Sequence, residues 1–161
     1  MDKELEDLSV RVGQALLERK SMLAWAESCT GGWVAEVVTA TGGSSQWFER
    51  GYVTYSNAAK QELLGVRAET LREQGAVSEA VVREMAAGTL RRSHAQAALA
   101  ISGVAGPTGG SPDKPVGTVC FAWVLRDGVP TAETVHFSGE REAVRRQSVI
   151  HALQGLLRKL S

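Results

Sequence analysis

Two cysteines and three histidines are all the soft metal ligands that 161 residues contain. Cys29 and Cys120 stand far apart in no ligand spacing, and His94, His136 and His151 do not gather around them. This argues against a disulfide framework and against a zinc site, so neither a metal nor another cofactor is expected. An excess of either charge is missing too. Lys plus Arg and Asp plus Glu number 18 each, so no basic face steers the chain toward nucleic acid or an anionic membrane. A nucleotide-sized ligand remains possible, because a few local donors suffice for it. No apolar run reaches the roughly 18–20 residues that a membrane-spanning helix needs. The first twenty residues, MDKELEDLSVRVGQALLERK, are too charged for the apolar stretch of a signal peptide. There are no repeats, low-complexity tails or linkers. What is left is an ordinary soluble composition, 43% hydrophobic and 22% charged. The length suits a single domain over residues 1–161 with one core, and the expected compartment is the cytoplasm.

Periodicity orders the elements. Leu5, Leu8, Val12, Ala15 and Leu16 recur at helical spacing, predicting an amphipathic helix over 3–19. Met22–Ala26 reads as a buried strand, after which Ser28 or Thr30 is placed to cap a helix carrying Trp33, Val34, Val37 and Val38. TGGSS at 41–45 breaks that helix. GYVTY at 51–55 alternates as a strand, and Ser56 or Asn57 caps a short helix through Leu64. Ser78 opens a longer helix to about Arg92, and AALAI at 97–101 is a second buried strand. Two further strands, 118–125 and 133–137, flank Asp127-Gly128. A final helix covers about 140–160. Strands and helices alternate and then a hairpin appears, so the fold class is α/β: a three-layer α/β/α sandwich on a mixed, mostly parallel sheet of about five strands. Ligands bind at strand C-termini in such sheets, and three loops are read as candidates: 27–32, 41–48 and 102–117.

Four segments carry potential chemistry. AESCTGGW at 26–33 joins a buried strand to a helix through Gly31 and Gly32, offering free N–H groups and a positive helix end to an anion. It has neither the Gly-Lys-Ser/Thr of a P-loop nor the G-x-G-x-x-G of a dinucleotide fold. A plain capped turn explains it as well, although Glu27, a carboxylate closing a buried strand, is costly unless paired or used. In GGSSQWFERGYVTYSNAAK at 42–60, Ser45 falls in a loop, Tyr55 at a strand end and Lys60 one turn into a helix. A partly buried lysine of depressed pKa can take a serine's proton and a tyrosine can relay it. Turn filler, core tyrosine and solvated lysine are the plainer reading. The run from Ser102 and Gly103 to Gly110, glycine-rich after a strand, is a second anion or oxyanion site or else a flexible connector. Arg141 and Arg145, one helical turn apart, can hold a phosphate or carboxylate, or pair with Glu140 and Glu142 at the surface.

AESCTGGWVAEVVT, GSSQWFERGYVTYSNAAKQELLGV, GAVSE…MA and ISGVAGPTGGSPDKPVGTV together resemble the C-terminal domain of the competence/damage-inducible CinA proteins, in matching order and over nearly the whole chain. The resemblance implies an amidohydrolase that converts nicotinamide mononucleotide and water to nicotinic acid mononucleotide and ammonia, in pyridine nucleotide salvage and NAD metabolism. It implies a fold related to anticodon-binding domains, and a homodimer. It places the catalytic residues on Ser45 as nucleophile, with Tyr55 and Lys60 as proton-transfer partners. Substrate-binding roles fall to Glu27, Ser28, Thr30, Gly31, Ser102, Gly103 and Arg141. On this reading Lys60 takes the proton of Ser45, Tyr55 helps pass it to the departing ammonia, and no metal takes part. Cys29, at a helix start where a thiol pKa can fall, is the rival nucleophile beside Ser28. Two other functions stay open. One is a non-catalytic sensor of a mononucleotide or ADP-ribose, and the other is a structural role in DNA uptake, against which the balanced charge speaks.

Overall fold

A computed structural model describes all residues, Met1–Ser161. The order is α1 (Lys3–Glu18), β1 (Leu23–Glu27), α2 (Trp33–Thr39), a 3₁₀ turn (Ser44–Gln46), β2 (Phe48–Val53), α3 (Asn57–Leu64), α4 (Ala68–Gln74), α5 (Glu79–Arg91), β3 (Ala97–Gly103), β4 (Thr118–Leu125), β5 (Thr131–His136) and α6 (Arg141–Leu160). The five strands form one sheet in the order β2-β1-β3-β4-β5. β1 runs parallel to β2 and β3, β4 is antiparallel to β3, and β5 is antiparallel to β4. Four strands therefore point one way and only β4 opposes them, the mixed sheet that the sequence pattern predicts.

Alternation along the strands makes the two faces unequal. Leu23, Trp25, Leu99, Ile101, Phe121 and Trp123 pack with α1, α2 and α6 into the larger core. Ala26, Ala98, Ala100, Cys120 and Ala122 face the other way, against α3, α4 and α5. Small side chains there let helices approach the sheet closely, while the bulky face fills a wider gap with aromatic rings. Trp25 stacks on Phe48 at 4.1 Å, and the Trp123 indole N–H donates to the Ala152 carbonyl at 2.9 Å. A fully buried side chain of Leu, Ile or Phe size contributes about 1.5–3 kcal/mol over its exposed state, so the larger core dominates stability.

Caps explain most boundaries. Asp2, Ser56 and Ser78 each accept a backbone N–H from the first turn of α1, α3 and α5, as the predicted serine caps require. α2 differs. Its N-cap is Gly32, in the left-handed region at φ 106°, and neither Ser28 nor Thr30 caps it. α4 was not expected, because it has no capping side chain and only seven residues. β2 starts three residues earlier than its alternation suggests, at Phe48 opposite Leu23, which leaves Tyr55 beyond the strand. One placement changes the functional map. The segment 41–48 follows a helix and enters β2 from its N-terminal end, so it does not lie at a strand C-terminus; the segment 54–56 does.

Gly88 on α5 faces the end of α3, where an added Cβ would collide with the carbonyl oxygen of Leu64. Because backbone has to move to admit it, Gly88→Ala is expected to lower unfolding stability by about 1–3 kcal/mol, despite alanine's better helix propensity. Urea denaturation of the two proteins measures this.

Candidate active site

The strand order puts the C-terminal ends of β2, β1 and β3 side by side, and the turns leaving them surround a cleft of about 310 Å³. Ser28 and Cys29 come from the turn after β1. Tyr55, Asn57 and Lys60 follow β2, Ser102 and Gly103 end β3, the loop after it adds residues from Val104 to Gly109, and Arg141 reaches in from the start of α6.

The turn after β1 is built around Glu27. Its carboxylate is completely buried on the α2 side of the sheet and accepts five hydrogen bonds. They come from the Trp25 indole at 3.0 Å, the Thr30 hydroxyl at 2.7 Å, and the backbone N–H groups of Gly32, Val34 and Ala35 at 3.0–3.2 Å. The last three are orphan donors of the α2 N-terminus, so Glu27 caps α2 from the end of the preceding strand and its negative charge faces the positive helix end. On the outer side, the Arg145 guanidinium donates to the carbonyls of Cys29 and Thr30, both at 3.0 Å, and lies 5.4 Å from the Trp33 ring centroid. With carboxylate on one side and guanidinium on the other, the turn is held rigidly.

Because side chains alternate, the residue after Glu27 points to the opposite face, toward α3. There the Lys60 ammonium donates to the Ser28 hydroxyl at 3.1 Å and to the Thr54 carbonyl at 2.9 Å. Lys60 is only 2% exposed and forms no salt bridge. Burial holds its pKa below the usual lysine value, since an ammonium without water or counter-ion is disfavoured. A lysine whose charged form is disfavoured, bonded to a serine hydroxyl on a cleft wall, has the chemistry to accept that hydroxyl's proton.

Cys29 is the opposite case. Burial pushes its thiol up to about 11, against the lowered pKa expected at a helix start. The N–H groups of Cys29 and Thr30 donate to no backbone carbonyl. Across the cleft, Arg141 donates to the Gly106 carbonyl at 2.7 Å and to the Tyr55 hydroxyl at 3.2 Å, tying the glycine loop to the rim. Tyr55 is 61% exposed, neither a core residue nor a partner of Lys60.

The structure thus brings Ser28, Tyr55, Lys60, Ser102, Gly103 and Arg141 to one cleft and leaves four other sequence candidates outside it. Glu27 and Thr30 are consumed by the hydrogen-bond cluster behind the turn. Gly31 is exposed, at φ 59°, and its N–H is taken by the Ser28 carbonyl at 3.0 Å. Ser45 lies in the 3₁₀ turn before β2, whereas Tyr55 and Lys60 lie beyond it; the strand's six residues, about 20 Å at about 3.3 Å each, separate them. Proximity in sequence across a strand is distance in space. The contribution of Thr54, a backbone carbonyl, and that of Arg145 to the turn leave no pattern a sequence can show.

Comparison with known proteins decides the family. Residues 5–160 match the model of the CinA C-terminal domain. The chain belongs to the CinA C-terminal domain family. Within it, the chain is 57% identical over 155 residues to the nicotinamide-nucleotide amidohydrolase PncC of Escherichia coli strain K12, covering 96% of this chain and 94% of that one. It is 54% identical over 151 residues to the protein of the same name from Pseudomonas putida, covering 93% of each. Among solved structures, the competence/damage inducible protein CihA from Agrobacterium tumefaciens superposes with a TM-score of 0.95 at 40% identity, over 98% of this chain and 96% of that one. The three-layer fold is thus a CinA fold. No helix is long and apolar enough to cross a membrane.

The buried carboxylate gives a stability prediction for this CinA domain. Glu27→Gln preserves shape but turns an acceptor into an NH₂ group among donors. It is expected to reduce unfolding stability by roughly 2–3 kcal/mol, as for hydrogen bonds to a charged group, read from the denaturant midpoint.

Proposed function

We propose that this chain hydrolyses the carboxamide of nicotinamide mononucleotide to nicotinic acid mononucleotide and ammonia, as part of pyridine nucleotide salvage, with Ser28 as nucleophile and Lys60 as its base. One observation carries the mechanism: the Lys60 amine, buried without a counter-ion, is bonded to Ser28 on the cleft wall. The substrate is supported by the amidohydrolases to which the chain is 52–57% identical over nearly its full length. The cleft volume falls at the lower end of the range for small-molecule sites.

Neutral Lys60 takes the Ser28 proton as the serine oxygen attacks the carboxamide carbon. Oxyanion charge develops next to the N–H groups of Cys29 and Thr30, which have no competing backbone acceptor and whose turn is held by Glu27 and Arg145. Each such fixed donor is worth roughly 3–4 kcal/mol of transition-state stabilisation. Arg141, with Tyr55 and the glycine loop after β3, supplies the cation and donors for the nucleotide phosphate at the cleft rim. The nucleophile's role is thereby assigned to Ser28 rather than to Ser45.

Ammonia release from nicotinamide mononucleotide tests this. Ser28→Ala and Lys60→Met are expected to lose at least about 10³-fold in kcat, and Ser45→Ala to stay within about twofold of the parent. Loss confined to Ser45→Ala would return the nucleophile to Ser45. The pH profile follows from Lys60. Its protonated form cannot accept the serine proton, so kcat/KM should rise with pH and level off once Lys60 is neutral. Because burial lowers this pKa, the plateau should begin below the range of an ordinary lysine. A profile flat from neutral to alkaline pH would exclude Lys60 as the base.

A further inference from the structure

We propose that Ser102 is a further catalytic residue, which carries a proton between Lys60 and the departing ammonia; this deepens the amidohydrolase reading and rests on it. The serine–lysine pair accounts for attack on the amide but not for the leaving group, since an amide nitrogen cannot depart as NH₂⁻ and has to gain a proton as its bond to carbon breaks. Tyr55 is poorly placed to provide it, being 61% exposed and bonded to Arg141. Ser102 is well placed. β1 and β3 pair with Glu27 opposite Ile101, and the Ser28 N–H continues the ladder to the Ile101 carbonyl at 3.1 Å. The next residues, Ser28 and Ser102, are therefore neighbours on adjacent strands about 4.8 Å apart. Both extend the small-residue face of Ala26, Ala98 and Ala100 toward α3, the helix that carries Lys60.

Ser102 is 1% exposed and lines the cleft. Its hydroxyl has no partner in the protein and opens on the space where substrate would bind. The Thr54 hydroxyl is the one fully enclosed side-chain atom left unpaired; the Ser102 hydroxyl, by contrast, is free to bond a molecule in the cleft. Lys60 can serve it. An ammonium has three donors, and two are directed at Ser28 and Thr54.

The steps balance. Ser28 forms a bond to the carboxamide carbon and its proton passes to Lys60. As the C–N bond breaks, the Ser102 hydroxyl gives its proton to the nitrogen and takes one from the Lys60 ammonium. Ammonia leaves, Lys60 is neutral and Ser102 is restored. Water then attacks the acyl-serine and gives a proton to Lys60. Collapse returns that proton to Ser28 and releases the carboxylic acid, which ionises.

The experiment compares two leaving groups in wild type and Ser102→Ala: nicotinamide mononucleotide and the methyl thioester of nicotinic acid mononucleotide, whose thiolate departs without a proton. Ser102→Ala is expected to lose about 10²-fold or more in kcat on the amide, with KM within about twofold, a loss exceeding that on the thioester by at least about tenfold. Thermal unfolding of both proteins confirms that the variant is folded. Equal loss on both substrates, a rise in KM alone, or full amide activity would each overturn the assignment. Those results leave the amidohydrolase reading in place if Ser28→Ala is inactive; a wild-type enzyme that releases no ammonia removes that reading itself.

Discussion

Glu27 ends a fully buried strand and meets five donors, three of them the first free N–H groups of α2. A carboxylate in such a place is stable only when fully bonded, and the satisfaction of this one fixes much else. It sets the angle at which chain leaves β1, holds Thr30 inside the turn, and starts α2 without a conventional cap. Alternation then sends the next side chain, Ser28, to the opposite face of the sheet. The position of the Ser28 hydroxyl on the cleft wall is thus a consequence of where an acid one residue earlier has to be buried.

That opposite face is lined by alanine and cysteine, which lets α3 and α5 lie close to the sheet. Closeness has an electrostatic result. Lys60, capped into the first turn of α3 by Ser56, ends up with its amine under the cleft floor, between the hydroxyl of Ser28 and the carbonyl of Thr54. No acid compensates it, so burial disfavours its charged form and lowers its pKa. Burial also acts on Cys29, raising the thiol where it lowers the ammonium. Desolvation acts oppositely on the two groups because a thiol gains charge on losing its proton and an ammonium loses it.

α6 completes the arrangement from the other side. Its apolar stripe packs into the larger core, which leaves the first turns free to face the cleft. Arg141 and Arg145, one turn apart, use that freedom differently. Arg145 locks the carbonyls of the β1 turn, and Arg141 joins the glycine loop to Tyr55 at the rim. Neither pairs with Glu140 or Glu142, although sequence adjacency suggests it. Carbonyl groups left unpaired by tight turns compete successfully for a guanidinium when they are closer and better fixed than a solvated carboxylate.

Much of this was legible from the chain alone. Periodicity determined the strands, with β2 displaced, and every helix but α4, serines at 56 and 78 determined two helix starts, and AESCTGGW with its companion segments determined the family; all of these are local patterns, and local patterns survive without coordinates. Six of its catalytic and substrate-binding candidates line the cleft. What sequence could not decide was which end of a strand each of them occupies. Ser45 and Lys60 are fifteen positions apart, close enough to suggest a pair, yet β2 runs between them and places them beyond its opposite ends. Ser28 and Ser102, 74 positions apart, become neighbours because β1 and β3 pair in parallel. Strand pairing is a long-range choice made by the whole core, and only the tertiary structure shows which serine the lysine meets.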